Sequence, residues 1–253
     1  MLVIDILSSI VIAFAFFTII PMPLIDWTGR RMKFVPLMMP LVGLINGLIV
    51  FGIFTLLTAL DYSAFFKAVI MCLYSIVFTG GLHIDGLMDT ADAYFSRRDK
   101  VRKLEIMKDS NVGAFAVLTL VIVLLLKVAF LNELFTQNHK SSILIIFIPI
   151  ISRLLQSSML YLFSPAKPDG LARMYGALDK RFSLTLFGLL LLLGGLFVVL
   201  VGVKSLLLIG VVLIYYALFY LSSKKQFGGI TGDLLGAFLE ISELIMLGTL
   251  IFI

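Results

Sequence analysis

A run of polar and charged residues ends an apolar stretch between positions 78 and 93, and several of its members can bind a metal ion. The run contains His83, Asp85, Asp89 and Asp92. On a helix of about 3.6 residues per turn, the three aspartates lie within roughly 60° of one another and share one face. Three like charges repel one another, and oxygen-only ligands suit a hard divalent cation such as Mg²⁺. The spacing predicts a magnesium site; acidic residues on a solvated interfacial helix are the alternative.

A second polar segment, residues 104–111, precedes another apolar run. Asp109 or Ser110 can cap the helix that follows by accepting hydrogen bonds from its first backbone amides, which would be a structural role. Glu105 and Asp109 also form an i, i+4 pair, and Lys108 can neutralise a phosphate oxygen. The segment therefore fits a structural or a catalytic role equally well.

A third segment, residues 227–243, repeats the pattern of the first. Asp85 lies four residues after Gly81, with Asp92 seven further on. Asp233 lies four residues after Gly229, with Glu240 seven further on inside the last apolar run. Ionisable residues within a membrane span usually face the bundle interior. We hypothesise that the two segments are halves of one metal-phosphate site; small-residue helix packing is the structural explanation of the glycines.

The elements that position these residues are predicted to be membrane helices. The chain has 253 residues, of which 61% are hydrophobic and 14% charged, a composition outside the range of soluble domains. Apolar runs approach the twenty residues that cross a bilayer as a helix. We predict one all-α catalytic domain over residues 1–253, a polytopic bundle with a short interfacial helical region at about 82–110. Its approximately eight spans are 2–20, 36–59, 62–80, 112–131, 142–163, 184–203, 205–221 and 234–253.

Basic residues give the orientation of the bundle. Of the 20 lysines and arginines, 15 lie in loops on one side of the predicted spans. The positive-inside rule places those loops, and the acidic cluster beside them, in the cytoplasm, with both termini outside. The net charge of +5 is therefore a sign of orientation rather than of nucleic-acid binding. The single cysteine, Cys72, excludes a disulfide framework and a thiolate metal cluster.

The ordered motifs resemble those of the cobalamin synthase family, the adenosylcobinamide-GDP ribazoletransferases. The blocks that carry the resemblance cover nearly the whole chain: Thr18-Ile19-Ile20-Pro21-Met22-Pro23, Pro40-Leu41-Val42-Gly43, residues 80–93, Glu105-Ile106-Met107-Lys108-Asp109-Ser110 and residues 228–237. Ala93 and Ala116 stand where the family commonly has glycine. The resemblance implies an integral protein of the prokaryotic cytoplasmic membrane with its active site on the cytoplasmic face.

The reaction that the resemblance implies is attack by a hydroxyl of alpha-ribazole, or of its 5'-phosphate, on the cobinamide-linked phosphorus of adenosylcobinamide-GDP, with release of GMP. Mg²⁺ is the expected cofactor and the bilayer the expected environment. The resemblance leaves open a homo-oligomer or association with other cobalamin-assembly enzymes.

The family roles transfer to this chain as three groups of residues. Asp85, Asp89 and Asp92 would ligate Mg²⁺, and Asp233 and Glu240 would complete the metal shell. His83 would orient a ligand or accept a proton, Lys108 would contact phosphate and Asp109 would position the nucleophile. The candidate substrate-binding residues are Arg153, Lys167, Arg173 and Ser110. Arg153 needs a buried carboxylate or a phosphate as its partner, and orientation charge is the alternative explanation of Lys167 and Arg173.

Two other function classes fit part of the pattern. CDP-alcohol phosphotransferases also expel a nucleotide monophosphate with aspartates on membrane helices, but Met88-Asp89 replaces their Ala-Arg pair. In a transporter, Arg153, Glu240 and Glu243 would form an ion or proton path through broken helices. Carboxylates clustered at the cytoplasmic surface favour an enzyme, and carboxylates distributed across the bilayer midplane favour transport.

Overall fold

The computed structural model describes residues 2–137, 140–167, 175 and 181–253. These residues form α-helices and two 3₁₀ helices, Lys140–Phe147 and Val203–Ser205. The part of the chain described contains no β-strand beyond one isolated bridge between Pro165 and Ile230. The helices are α1 (Leu2–Phe17), α2 (Gly29–Met32), α3 (Val35–Ala59), α4 (Ala64–Phe78), α5 (Leu82–Phe95), α6 (Lys100–Ile106), α7 (Ala114–Thr136), α8 (Ile148–Leu162), α9 (Arg181–Val201), α10 (Leu206–Phe227) and α11 (Gly232–Leu250).

Five helical segments in the described residues are long and apolar enough to cross a membrane, namely Val35–Ala59, Ala114–Thr136, Ile143–Leu162, Arg181–Val201 and Val203–Phe227. A sixth is reached if α4 and α5 count as one broken span, since they meet at an angle of 89°. The all-α membrane fold is therefore confirmed, whereas the count of eight spans is not. Each predicted apolar run does coincide with a helix, but α1 is short at 16 residues, and α11 carries three carboxylates within its 19 residues.

The bend between α4 and α5 has a local cause in two glycines. Gly80 and Gly81 have φ values of +61° and +80°, which glycine adopts without the steric cost that a Cβ atom would add. The Gly80 amide donates to the Val77 carbonyl and the Gly81 amide to the Ile76 carbonyl, both at 3.0 Å. This pair of bonds is a Schellman motif, which ends α4 and lets α5 leave in a new direction.

Glycines also allow the closest helix crossings. A Cβ atom on Gly43 of α3 would lie 2.3 Å from the Pro149 carbonyl oxygen, and one on Gly47 would lie 2.0 Å from the Ile146 carbonyl oxygen. The backbone of α3 therefore directly contacts the backbone at and just before the start of α8. At the second crossing, a Cβ atom on Gly86 of α5 would lie 2.8 Å from the Asp233 carbonyl oxygen. Such contacts are typical of membrane helices, which associate through small residues.

The position of α1 differs from the sequence-based topology. Asp5, near the start of the helix, lies 3.8 Å from the guanidinium of Arg31, and Ser9 donates to the Arg31 carbonyl at 2.7 Å. Phe17, the last residue of the helix, stacks on His83 with ring centroids 6.2 Å apart. Both ends of α1 thus adjoin residues that the charge distribution assigns to the cytoplasmic side, which does not favour the predicted outer N-terminus.

Candidate active site

The crossing of α5 and α11 brings together the two glycine-preceded carboxylate segments. Gly86 of α5 faces the backbone of Asp233, and a Cβ atom on Gly236 of α11 would lie 3.1 Å from the His83 carbonyl oxygen. Side chains of Asp85 and Asp233 line one cavity of about 80 Å³ at this crossing. The remaining lining residues are Phe16, Phe17, Met39, Leu82, His83, Gln156, Leu160, Tyr175, Gly232 and Leu235. Two segments about 150 residues apart in sequence therefore share one site.

Asp89 experiences the charge of the whole cluster. Burial, followed by the negative charges of Asp85, Asp233 and Asp92, raises the pKa of Asp89 to about 6. Asp89 is half-buried and lies on α5, outside the five helices long enough to span the membrane. Neighbouring negative charges disfavour ionisation of a carboxyl group, and a bound cation would offset them. The electrostatics of the cluster thus match a site that binds positive charge.

Two polar atoms in this cavity lack hydrogen-bond partners. Nε2 of His83 and Oε1 of Gln156 are buried and unpaired among the described residues. The amide nitrogen of Gln156 donates to the Leu235 carbonyl at 2.9 Å, which fixes the orientation of that side chain. Buried polar atoms are nearly always paired, so unpaired ones facing a cavity indicate a ligand or water. Burial also lowers the pKa of His83 to about 3, so its imidazole is neutral at physiological pH.

Gln156 was missed at the level of sequence. The available signal was a polar amide within a predicted span, three positions after Arg153. An uncharged polar residue within a span that lines a site is hard to distinguish by spacing alone from one that only packs against a neighbouring helix.

Asp92 has a different environment from the other aspartates of α5. Its carboxylate accepts hydrogen bonds from the backbone amides of Gly113 at 2.6 Å and Ala116 at 2.9 Å. These are the free amides at the N-terminus of α7, where a carboxylate also interacts favourably with the helix dipole. Asp92 therefore caps α7 from another helix, and this contact does not support its predicted role as a metal ligand.

Asp109 does not make the capping interaction that its position suggested. Its carboxylate accepts from the backbone amide and the side-chain amide of Asn111, at 3.0 and 2.7 Å. These bonds close a local turn and lower the pKa of Asp109. Ser110 is exposed beside it. The structure thus assigns the α7 cap to Asp92 and leaves Asp109 and Ser110 on the surface.

Glu240 lies away from the aspartates, in a buried group of four charges. Lys127 of α7 approaches Glu240 at 2.6 Å and Glu243 at 3.9 Å. Arg153 of α8 approaches Glu243 at 3.2 Å, and the hydroxyl of Ser152 donates to Glu243 at 2.9 Å. The predicted metal role of Glu240 and the predicted substrate-binding role of Arg153 gain no support from these contacts, because each charge is already paired inside the bundle.

Two of the basic candidates, Lys108 and Lys167, lie close to each other. Lys167 donates to the Leu104 carbonyl at 3.2 Å. Burial and the nearby positive charge of Lys108 lower the pKa of Lys167, so these two cations are neighbours. Arg173 lies outside the described residues. Two adjacent ammonium groups repel one another and favour a bound anion.

The donor set at the α5–α11 crossing consists of carboxylate oxygens. Among the residues that the structure describes, no three histidine, cysteine, aspartate or glutamate side chains converge closely enough to hold a metal ion by themselves. Mg²⁺ commonly takes one or two protein carboxylates and completes its shell with water and substrate phosphate. The carboxylates of Asp85, Asp89 and Asp233, which form no ion pair within the described residues, fit that mode of binding.

Comparison with known proteins gives a consistent result. The model of the family described as Cobalamin-5-phosphate synthase matches residues 9–251. An adenosylcobinamide-GDP ribazoletransferase of Clostridium botulinum (strain Alaska E43 / Type E3) is 31% identical over 95% of this chain and 96% of its own length. A protein of the same name from Clostridioides difficile (strain 630) is 38% identical over 82% of this chain and 83% of its own length. Another, from Geobacillus sp. (strain WCH70), is 36% identical over 92% of this chain and 91% of its own length. No solved structure matches this chain.

Proposed function

Because the chain belongs to the cobalamin-5-phosphate synthase family, we propose that it is an adenosylcobinamide-GDP ribazoletransferase like the relatives that it matches. In this reaction a hydroxyl oxygen of alpha-ribazole, or of its 5'-phosphate, forms a bond to the cobinamide-linked phosphorus. The bond from that phosphorus to the oxygen of the GMP group breaks, GMP leaves, and the hydroxyl proton passes to a base or to water. The product is adenosylcobalamin or its 5'-phosphate.

The observation that carries this proposal is the meeting of Asp85 and Asp233 at one cavity that also contains unpaired polar atoms. Phosphoryl transfer needs a positioned nucleophile and compensation of the charge on the phosphate oxygens more than it needs covalent chemistry by the protein. A cavity of about 80 Å³ is too small for a nucleotide, whose pockets usually exceed about 300 Å³. It can accept the reacting hydroxyl, with Nε2 of His83 or Oε1 of Gln156 as its hydrogen-bond partner.

The metal proposal rests on three of the predicted ligands. Asp85, Asp89 and Asp233 would hold Mg²⁺, and the ion would supply charge compensation on the phosphate oxygens and the leaving group. Asp92 would fix the start of α7 against α5 through its amide contacts. Lys108 and Lys167 would bind phosphate oxygens at the rim, as their proximity and exposure allow.

We place the site on the cytoplasmic face of the cell membrane. The support is the set of basic residues around it and the positive-inside rule. All eight apolar runs coincide with helices, and we propose one domain in which α5 and α6 lie at the interface and α11 crosses the bilayer with its C-terminus outside. The contact of Asp5 with Arg31 supports an N-terminus on the inner side, in place of the outer one that the positive-inside rule predicted. A reporter fused to either end would test both assignments.

The pairing of Glu240 and Glu243 with Lys127 and Arg153 bears on the transport alternative. A proton or ion path needs ionisable groups that can change partners, whereas these four charges neutralise one another within the bundle. Asp85, Asp89 and Asp233 at the α5–α11 crossing take part in none of the ion pairs within the described residues, as expected for carboxylates that bind a metal ion in an enzyme.

The decisive experiment measures GMP release by the purified protein from adenosylcobinamide-GDP, alpha-ribazole and Mg²⁺. We expect turnover by the wild type, and loss of at least a hundredfold in Asp85→Asn, Asp89→Asn and Asp233→Asn, because each removes a charge from the proposed metal site. Asp61→Asn is the matched control, since Asp61 is exposed in the α3–α4 turn with φ of +57°, which asparagine tolerates. Absence of wild-type turnover would refute the activity. Full activity of Asp233→Asn beside an inactive Asp85→Asn would refute the two-segment site.

A further inference from the structure

A second and larger cavity opens at the far end of α5, separate from the α5–α11 crossing. Its volume is about 350 Å³, which falls within the usual size of small-molecule sites. Three of its six lining residues are cationic and two are aromatic: Tyr94, Phe95, Arg97, Arg98, Lys103 and Gln226. Tyr94 lies nine residues after Asp85 on the same helix, a distance of roughly 13 Å along the axis.

Lys103 is a buried cation whose direct contacts, one hydrogen bond and two aromatic rings, are with neutral groups. It is 4% exposed, and its ammonium donates to the side-chain oxygen of Gln226 at 2.5 Å. The same ammonium lies 5.4 Å from the ring centre of Tyr94 and 5.7 Å from that of Phe227. None of the ion pairs within the described residues includes Lys103. Because buried charges are normally paired with opposite charge, this arrangement favours an anion in the cavity.

Arg97 holds a strained backbone conformation at the rim. Its φ is +55°, at the position just after α5 where glycine is the usual residue. A non-glycine residue there costs on the order of 1 kcal/mol or more, and such strain is concentrated at binding sites. Neither Arg97 nor Arg98 takes part in an ion pair within the described residues. The two guanidinium groups can therefore bind a phosphate with paired N–H donors.

Orientation charge alone does not explain this cluster. The positive-inside rule requires only that lysine and arginine lie in a cytoplasmic loop, and exposed residues such as Lys100 satisfy it fully. It gives no reason to bury Lys103 between two aromatic rings, or to have arginine instead of glycine at the left-handed position that ends α5. Both features have an explanation if the cavity binds a ligand that is anionic and has a flat face.

We propose that this cavity binds the GMP portion of the nucleotide-linked substrate, with Arg97, Arg98 and Lys103 at phosphate and Tyr94 or Phe95 against the base. This inference rests on the proposed function for the identity of the ligand. The exposed faces of Tyr94 and Phe95, at 39% and 48% exposure, suit stacking of a purine. Tyr94 lies only five residues after Asp89 on α5, roughly 8 Å along the axis, so the two linked phosphates of the substrate can lie between the cavity and the metal site.

The test uses full-length protein in nanodiscs and measures binding of GMP, with guanosine as the probe that lacks phosphate. Arg97→Gly is the main variant because it removes the guanidinium where glycine is conformationally favoured, so folding is retained. Arg98→Gln is the second variant. Lys100→Gln is the matched control, as it removes one exposed charge from the same loop outside the cavity. We expect each arginine variant to weaken GMP binding about tenfold or more, with guanosine binding weak throughout and Lys100→Gln unchanged.

Three outcomes would overturn the proposal. The first is wild-type GMP affinity in both arginine variants. The second is an equal loss in Lys100→Gln, which would indicate a general effect of loop charge. The third separates a nucleotide from a lipid headgroup, since both offer phosphate. GMP affinity is therefore measured both in nanodiscs of phosphatidylcholine and in nanodiscs containing phosphatidylglycerol. If the arginine variants change only the difference in GMP affinity between these two kinds of nanodisc, the cavity binds lipid.

The activity and the cavity can fail independently. A wild type that releases GMP from adenosylcobinamide-GDP, beside variants with unchanged GMP affinity, would refute the cavity and leave the activity in place. Arginine-dependent GMP binding by a protein without that turnover would support a nucleotide cavity and refute the proposed reaction.

Discussion

Substitution of Gly86 by alanine should separate the two halves of the active site. The new Cβ atom would lie 2.8 Å from the Asp233 carbonyl oxygen and 2.9 Å from the Asp233 Cα atom. Ordinary contacts begin at 3.4 Å, so α5 and α11 must move apart by 0.6 Å, the difference between 3.4 and 2.8 Å. Both opposing atoms belong to the backbone, so rotation of a side chain cannot relieve the contact.

Two energetic terms set the expected size of the effect. Overpacking of this kind destabilises a fold by about 1–3 kcal/mol, and the higher helix propensity of alanine offsets up to about 1 kcal/mol. The loss of stability should therefore be modest. Activity should fall further, because a displacement near 1 Å can reduce catalysis about a hundredfold. We expect a roughly tenfold loss of the rate of GMP release in protein that remains folded.

The assay compares GMP release with thermal unfolding in detergent for Gly86→Ala and for Gly210→Ala. Gly210 lies on α10, and a Cβ atom there would meet nothing within 4 Å, so this control should keep both activity and stability. If Gly86→Ala retained the wild-type rate, the close crossing of α5 and α11 would be irrelevant to catalysis. If its activity fell only in proportion to unfolded protein, the crossing would have a purely structural role.

Two further predictions concern charge. The pKa of Asp89 is raised to about 6 without metal, so protons compete with Mg²⁺ as the pH falls below that value. The apparent Mg²⁺ affinity, measured from the Mg²⁺ dependence of GMP release, should therefore drop about tenfold between pH 7 and pH 5. An unchanged affinity would contradict the assignment of Asp89 as a metal ligand. Lys127→Met should leave the buried Glu240 without its partner at 2.6 Å and destabilise the protein by about 3–5 kcal/mol. Adding Glu240→Met should restore most of the lost stability. If thermal unfolding showed the double variant to be as unstable as the single one, the loss of this ion pair would not be the cause.

Sequence patterns predicted the helical membrane fold and the role of the glycines before α5. The break at Gly80 and Gly81 needs only local information, because positive φ values are a property of glycine itself. The approach of Asp233 to Asp85 was also indicated, by the shared spacing of the two segments. Helix periodicity is a local property, so such features can be read from the chain directly.

Contacts between distant helices could not be predicted in the same way. The spacing of Asp92 places it on the face of Asp85 and Asp89, yet its carboxylate binds the amides of α7. Glu240 likewise follows Asp233 by two helical turns on α11. Those two turns carry it along the helix axis, away from the aspartates and next to Lys127. Periodicity gives the direction of a side chain around its helix, whereas its partner depends on which helix packs there and at what height.

The buried pair of Lys127 and Glu240 has a consequence for how the protein is made. The two residues are separated by 113 positions, and a ribosome adding about 5–20 residues per second needs on the order of ten seconds to cover that interval. During this time α7 has left the ribosome with a lysine that costs about 3 kcal/mol at the centre of a bilayer. Its counter-ion arrives only with the last helix of the chain. We therefore expect stable insertion of α7 only after α11 is present beside it, and a chain truncated before α11 should be recognised as defective by membrane quality control.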